Sequence, residues 1–186
     1  MKLSKGTLNN LNEEVIESRE VHRGKSFSFH SDKVRLPNGK TAQKDYVRYP
    51  HAVAIVPFIE PNKVILIKQF RYPVGKVIYE IPAGKVEGFE EIRLEAAQRE
   101  LLEETGYRAK CFDFLFSFYP SAGYSTEILH IYKACELSRE TQYLDEDEFI
   151  ETEIVKFDSA LEMIRKGEIM DPKTITALLY IKAFCS

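Results

Sequence analysis

Two neighbouring apolar segments joined by a short turn constrain the fold of this chain more than any other feature. They read HAVAIVPFI at residues 51–59 and KVILIKQFRY at residues 63–72, and the turn between them reads EPNK. Short apolar runs bounded by turn residues predict β-strands. We therefore expect two consecutive strands here.

The N-terminal part of the chain predicts further strands. Residues 14–49 alternate in a strand-like way around turns, and the Asn-Gly pair in LPNGK at 36–40 is a strong hairpin signal. Another strand is expected at 77–84, where Pro82 and Gly84 should stop it.

The second half of the chain adds helices to this pattern. A helix is expected from about Glu90 to Gly106, because glycine often follows the last helical turn. Later strands are predicted at 110–120, 126–137 and 149–157, and a final helical portion is divided around KGEIMDP. The order of elements predicts an α+β fold with a mixed sheet and helices packed on its faces.

The composition excludes several classes of protein. The chain has 186 residues, of which 30% are charged, and a net charge of -3, which argues against nucleic acid or a membrane as the main partner. Three widely spaced cysteines match neither a disulfide framework nor a metal site. Signal-peptide and membrane-spanning patterns are not found in the sequence, so we expect a soluble, cytoplasmic protein.

A cluster of carboxylates marks the predicted central helix. At about 100° per residue, four residues form a stripe that should pack on the sheet: Leu94, Ala97, Leu101 and Thr105. Glu100, Glu103 and Glu104 fall together within an arc of about 100° on another side. Arg99 is the cation next to them.

Like charges at this spacing repel each other by about 0.2–0.5 kcal/mol per pair. Either the patch is a solvated charged face, or a bound cation compensates it. Mg²⁺ prefers oxygen ligands and is typically held by a few carboxylates together with substrate phosphates. The cluster therefore suits the hydrolysis of a diphosphate.

The segment GKVEGFEEIRLEAAQRELLEETGY at 84–107 resembles the signature of the Nudix hydrolases, Gly-x5-Glu-x7-Arg-Glu-apolar-x-Glu-Glu-x-Gly-apolar. From Arg99 to Tyr107 the match is position for position. Six residues, rather than five, separate Gly84 from Glu91, and we expect the extra residue in the loop KVEGFE. It is open whether Glu90 shares the role of Glu91.

This resemblance implies a Nudix-type α/β/α sandwich with a mixed sheet, plus a small N-terminal β region. It also implies the ligands of Mg²⁺, with Mn²⁺ as an alternative ion. Glu100 and Glu104 would be the principal ligands, Glu103 a further ligand or a base, and the carbonyl of Ala83 would complete the site. Three residues would have structural roles: the motif glycine Gly84, and Glu91 and Arg99 as an ion pair that holds the loop and helix in register.

Segments outside the signature resemble the ADP-ribose pyrophosphatase group, from about residue 40 to the C-terminal GEIMDPKTITAL. The resemblance implies that Arg71 contacts the diphosphate and that Glu80 lines the site next to the metals. In the segment FYPSAGYSTE it adds Gly123 and Glu127 as substrate-binding residues. Ala122 stands where that group usually carries proline, which leaves room for a broader nucleoside diphosphate sugar hydrolase.

The acidic segment LDEDEF matches the place where the same group carries its catalytic glutamate. Glu148 is the first choice and Glu146 the reserve, and a solvated loop is the alternative reading. A mobile loop that carries a carboxylate could close over the substrate. Glu103 and Glu148 could both activate water, and the sequence does not separate their roles.

Residues 1–49 are interpreted as an N-terminal β-rich region that forms a homodimer, and 50–186 as the Nudix hydrolase domain. The expected activity cleaves nucleoside diphosphate sugars, ADP-ribose first, into a nucleoside monophosphate and a sugar phosphate. One alternative is a non-hydrolytic, ADP-ribose-binding regulator with the same fold. Another is a Nudix hydrolase of modified nucleoside triphosphates or dinucleoside polyphosphates.

Overall fold

The computed structural model describes residues 11–88, 91–144 and 148–185. The chain divides into two compact units. The first consists of Met1–Pro50 and Ser121–Glu127, and the second of His51–Pro120 and Ile128–Ser186. Throughout the described ranges, no helix combines the length and the apolar character that crossing a membrane requires.

The first unit is built on a four-stranded antiparallel sheet. Its strands are β1 (Glu14–Glu17), β2 (Glu20–Arg23), β3 (Ser28–Arg35) and β4 (Thr41–Arg48). β4 pairs with β3 along its whole length, whereas β1 and β2 pair with opposite ends of β3. The predicted Asn-Gly hairpin is confirmed, and Gly39 in its turn has a φ of 80°.

The second unit contains a seven-stranded mixed sheet and three helices. In chain order the elements are β5 (Ala52–Glu60), β6 (Lys63–Arg71), β7 (Lys76–Glu80), β8 (Ala83–Lys85), α1 (Arg93–Thr105), β9 (Tyr107–Phe118), β10 (Leu129–Arg139), β11 (Ile150–Lys156), α2 (Phe157–Arg165) and α3 (Pro172–Phe184). The strand order is β11-β6-β5-β10-β9, with β7 paired to β6 and β8 to β5. Only the pairing of β10 with β5 is parallel among the described strands.

The two apolar segments that constrain the fold form β5 and β6, as predicted, and β5 lies in the middle of the core. Alternate side chains of a strand point to opposite faces of its sheet. Ala54 and Val56 accordingly pack with residues of α2 and α3 on one face. Val53 and Ile55 pack with α1 on the other. Helices therefore cover both faces, which confirms the α/β/α arrangement.

Three details of the predicted elements are wrong. Gly84 does not end a strand but lies inside β8, which pairs with β5. Helix α1 begins at Arg93 rather than near Glu90, which lies outside the described residues. Leu94, in the first turn of α1, is 39% exposed, whereas Ala96 is buried. Periodicity gives the direction in which a helical face points, but not how far along the helix the sheet extends. For this reason the sequence wrongly places Leu94 on the packed face.

Candidate active site

The connection from β8 to α1 brings the helix glutamates against the backbone of β8. A Cβ atom at Gly84 would overlap the carboxyl group of Glu100. Glycine is therefore needed here because the carboxylate approaches the main chain closely. One residue earlier, the N–H of Ala83 donates a hydrogen bond of 2.8 Å to Oε2 of Glu104. Two glutamates of α1 thus face the same short strand.

Arg99 connects this cluster to the preceding loop. Its Nε lies 3.0 Å from Oε1 of Glu91, so the predicted ion pair is present. A second nitrogen, Nη2, donates to the carbonyl of Lys85 at 3.0 Å, which ties α1 to β8. Glu91 also accepts a hydrogen bond from a backbone N–H in the loop. The residue at position 91 therefore takes the structural role despite the extra loop residue.

Arg99 has more contacts than the sequence predicts. Its Nη1 lies 2.8 Å from Oε1 of Glu100 and 2.9 Å from Oε2 of Glu103. The guanidinium was expected only to brace the loop, but it also partly neutralises the carboxylates. A planar group with five N–H donors can serve several oxygens at once, which explains how one cation holds three glutamates.

Burial dominates the electrostatics of the two glutamates nearest β8. Burial raises the pKa of Glu100 to about 7, against the opposing effect of Arg99. Burial likewise raises the pKa of Glu104 to about 8, although the N–H of Ala83 favours its ionised form. The charge of Glu148 raises both pKa values further. At neutral pH Glu104 is therefore mostly protonated and Glu100 about half protonated, and a cation could displace these protons.

The buried position of Glu104 follows from the helical geometry. Glu104 lies seven positions after Ala97, and seven steps of 100° place the two side chains only about 20° apart. Ala97 lies in the core, and Glu104 is 3% exposed. The predicted carboxylate arc therefore overlaps the packed face, and the cluster is less solvated than a surface patch.

The donor set of this cluster suits a divalent cation that prefers oxygen ligands. Its carboxylates are partly or fully buried, and the carboxyl group of Glu100 fills the space that a Cβ at Gly84 would take. No three acidic, histidine or cysteine side chains in the described part of the chain converge as a ready-made metal site. Arg99 binds one oxygen each of Glu100 and Glu103.

Hydrogen bonds join the residues just after β10 to the end of α1. Nε2 of Gln142 donates to the carbonyl of Glu104 at 2.6 Å, and the N–H of Glu140 donates to that of Gly106 at 2.8 Å. Glu148, on the far side of the loop, lies close enough to affect the pKa of Glu104. Glu146, the reserve base, lies outside the described residues.

A second charged cluster lies where β6, β7 and α3 meet. Arg71 forms a bidentate pair with Glu80, with Nε–Oε1 and Nη2–Oε2 distances of 2.6 and 2.7 Å. Lys173, in the first turn of α3, also bonds Oε2 of Glu80. Burial alone would raise the pKa of Glu80, but the two cations outweigh it and hold that pKa below its usual value. The charge of Glu104 raises the pKa of Arg71. The charge of Lys173 lowers the pKa of Glu104, so the two clusters are neighbours.

Lys173 is a residue that the sequence reading did not single out. A signal was present, since MDPKT contains the helix start of α3, with Asp171 as N-cap and Pro172 after it. A lysine in the first helical turn opposes the helix dipole. A cation at this position therefore indicates an interaction with a negative group elsewhere in the fold. The two remaining predicted substrate residues, Gly123 and Glu127, belong to the first unit and stay predictions.

Comparison with known proteins places this architecture in a family. A NUDIX domain profile matches residues 48–178. A Bacillus subtilis (strain 168) protein named ADP-ribose pyrophosphatase is 41% identical over 177 residues, which cover 94% of this chain and 95% of that protein. A Bacillus methanolicus protein named methanol dehydrogenase activator is 40% identical over 172 residues, covering 91% and 92%.

A solved structure described as an ADP compounds hydrolase supports the same assignment at the level of the fold. It superposes with a TM-score of 0.83 at 23% identity and covers 94% of this chain and 95% of that one. The family profile covers more than half of the chain, and both relatives are well above 30% identity over about nine-tenths of it. The chain therefore belongs to the Nudix hydrolase family.

Proposed function

We propose that this chain is a metal-dependent pyrophosphohydrolase of nucleoside diphosphate sugars, with ADP-ribose as its first substrate. The observation that carries the proposal is the pair Glu100 and Glu104, a largely buried and a fully buried carboxyl group with raised pKa values beside the Arg71 cluster. Such a site suits a cation together with an anionic diphosphate. The relative named ADP-ribose pyrophosphatase supports the choice of substrate.

Nudix hydrolases generally use divalent metal ions, and we assign Mg²⁺ here, with Mn²⁺ as the alternative. Glu100 and Glu104 would hold the ion, with Glu103 and the carbonyl of Ala83 completing its ligands. When bound, the ion supplies neutralisation of phosphate charge and a lower pKa for the attacking water. Gly84 keeps the backbone clear of Glu100, and Arg99 keeps α1 in register with the loop.

The remaining residues bind the substrate and move protons. Arg71 binds the diphosphate through its guanidinium group, which Glu80 orients. Glu148 accepts the proton of the attacking water, with Glu103 as the other candidate base. Attack on phosphorus breaks the bond to the bridging oxygen and yields AMP and ribose 5-phosphate from ADP-ribose.

The first unit is assigned to dimer formation. Val15, Val21 and Phe27 on its surface are large apolar side chains that are about half exposed, and apolar surface of this kind favours a protein partner. We propose a homodimer formed through residues 1–49, with 50–186 as the hydrolase domain in a cytoplasmic enzyme. Sedimentation velocity of the full chain and of a Phe27→Asp variant tests the dimer.

The activity is tested by following AMP release from ADP-ribose with Mg²⁺, with Mn²⁺ and with EDTA. Glu104→Gln should reduce kcat by at least about a hundredfold, because it removes a charged ligand. Glu95→Gln is the matched control, since Glu95 is an exposed glutamate in the same helix. Turnover by Glu104→Gln equal to that of the control would contradict the proposed site.

A substrate panel separates the possible hydrolase activities. It contains ADP-ribose, other nucleoside diphosphate sugars, a modified nucleoside triphosphate and a dinucleoside polyphosphate. We expect the highest kcat/KM for a nucleoside diphosphate sugar. A triphosphate as best substrate would reverse the assignment, and tight binding of ADP-ribose without turnover would support the regulator alternative.

The relative named methanol dehydrogenase activator supports a second candidate function, activation of another enzyme. Its similarity to this chain is nearly as high as that of the named pyrophosphatase. The test adds this protein to methanol dehydrogenase and measures alcohol oxidation. Comparison with Glu104→Gln decides whether any activation requires the glutamate site.

A further inference from the structure

Glu80 is a buried carboxylate that faces two cations. Its side chain is 1% exposed, and both of its oxygens accept hydrogen bonds from Arg71. Lys173 adds a third donor on Oε2. Together with Asp171, which also pairs with Lys173, these groups carry two positive and two negative charges, so Glu80 is shared between two cations rather than held by Arg71 alone.

Lys173 carries a mostly buried positive charge that two carboxylates pair with. Its side chain is only 13% exposed, and burying an ammonium group is costly unless it is paired. It also lies in the first turn of α3, where the helix dipole disfavours a cation. Asp171 lies 3.1 Å from the ammonium group and compensates part of this cost.

The start of α3 is fixed to the site by a second contact. The N–H of Ile81 donates to Oγ1 of Thr174 at 2.8 Å, and that hydroxyl donates to Oδ2 of Asp171. Thr174 is fully buried. Lys173 therefore reaches Glu80 from a rigid support, and its charge is held next to the strand end that carries Arg71.

We infer that Lys173 is a positioning residue for the substrate diphosphate. It shares the carboxylate of Glu80 with Arg71, so that Glu80 does not fully neutralise the guanidinium group that faces the phosphates. Two of the five N–H donors of Arg71 are used by Glu80, and its side chain is 40% exposed. The remaining donors can therefore reach a ligand. The inference deepens the proposed function, because it presumes a diphosphate at Arg71.

The test compares three substitutions in α3. Lys173→Met removes the charge, Lys173→Arg keeps it, and Lys182→Met is the matched control on an exposed lysine of the same helix. KM and kcat for ADP-ribose are measured with Mg²⁺, and the Kd of ADP-ribose is measured by calorimetry in EDTA. We expect Lys173→Met to raise KM and Kd by about tenfold or more, with a smaller change in kcat. Lys173→Arg should recover most of this loss, and Lys182→Met should match the wild type.

The outcomes separate this inference from the proposed function. If the wild type binds ADP-ribose without hydrolysing it, the proposed activity fails, but the Kd values in EDTA still test Lys173. A KM and Kd for Lys173→Met within about twofold of the control, or no ADP-ribose binding by the wild type, would overturn the inference. Melting temperatures identify misfolding, in which case Lys173→Gln replaces Lys173→Met. Failure of both neutral variants to fold would make Lys173 structural and would also overturn it.

Discussion

Replacing Glu104 by glutamine should stabilise the metal-free protein while it stops turnover. The pKa of this buried carboxyl group rises from its ordinary value of 4.5 to about 8 in the folded state. At pH 7 the unfolded chain is therefore ionised at this position, and folding must take up a proton. About 2.5 pH units at 1.36 kcal/mol each give a cost of about 3 kcal/mol. Glutamine avoids this cost and can still accept the hydrogen bond from Ala83.

The sign of the pH dependence follows from the same values. Because the folded state binds the proton more tightly, the free energy of unfolding falls as the pH rises from about 4.5 to about 8. The Glu104→Gln variant lacks this contribution, although Glu100 still gives a smaller slope up to about pH 7. The gap between variant and wild type should therefore widen with pH and level off above pH 8.

Urea denaturation in EDTA at pH 5, 6, 7 and 8 measures this gap. We expect a difference below about 1 kcal/mol at pH 5 and an advantage of about 4 kcal/mol for Glu104→Gln at pH 8. Glu95→Gln, which changes an exposed glutamate of the same helix, should follow the wild type. A gap that stays constant with pH, or a variant that is less stable at pH 8, would refute the reasoning.

Three further predictions concern α1 and the glycines that contact or follow it. The affinity for Mg²⁺ should rise by about a hundredfold from pH 6.5 to 8.5, since the ion displaces protons from Glu100 and Glu104, and calorimetry should detect their release. Gly84→Ala should lower kcat/KM by about tenfold or more because its Cβ displaces the Glu100 carboxylate, with circular dichroism as the control for folding. Gly106→Ala should lower the free energy of unfolding by about 1–2 kcal/mol, measured in urea, because the residue has a φ of 69° and a Cβ there would lie 3.2 Å from the backbone nitrogen of Gln142.

The general fold could be predicted because its signals are local. Apolar runs and turn residues identify β5, β6 and the Asn-Gly hairpin, and Gly106 correctly marks the end of α1. The left-handed conformation of that glycine is a property of a few neighbouring residues. The start of α1 was harder, because Ile92 at its N-cap provides no side-chain hydrogen bond.

The candidate site was predictable only where a family resemblance covers it, which includes Arg71 and Glu80 outside the signature. The signature identifies the glutamates of α1 and the Arg99–Glu91 pair, but not the extra contacts of Arg99. It also gives no indication of Lys173, which lies 93 residues from Glu80 in the chain. Contacts of this kind depend on how α3 packs against the sheet, and periodicity within one segment contains no information about that packing.

The contacts of Arg99 lead us to expect that a metal ion binding at the proposed site replaces the guanidinium group as the partner of the glutamate oxygens. The guanidinium group of Arg99 is shared among Glu91, Glu100 and Glu103. An incoming divalent ion would compete with Arg99 for the same oxygens. The cost of displacing Arg99 would therefore reduce the net free energy of metal binding. Because Arg99 already offsets part of the repulsion among these carboxylates, we expect the fold not to require the ion, unlike small domains that unfold without their metal. Chelation should switch the enzyme off reversibly and leave it folded, ready to respond to the concentration of free metal.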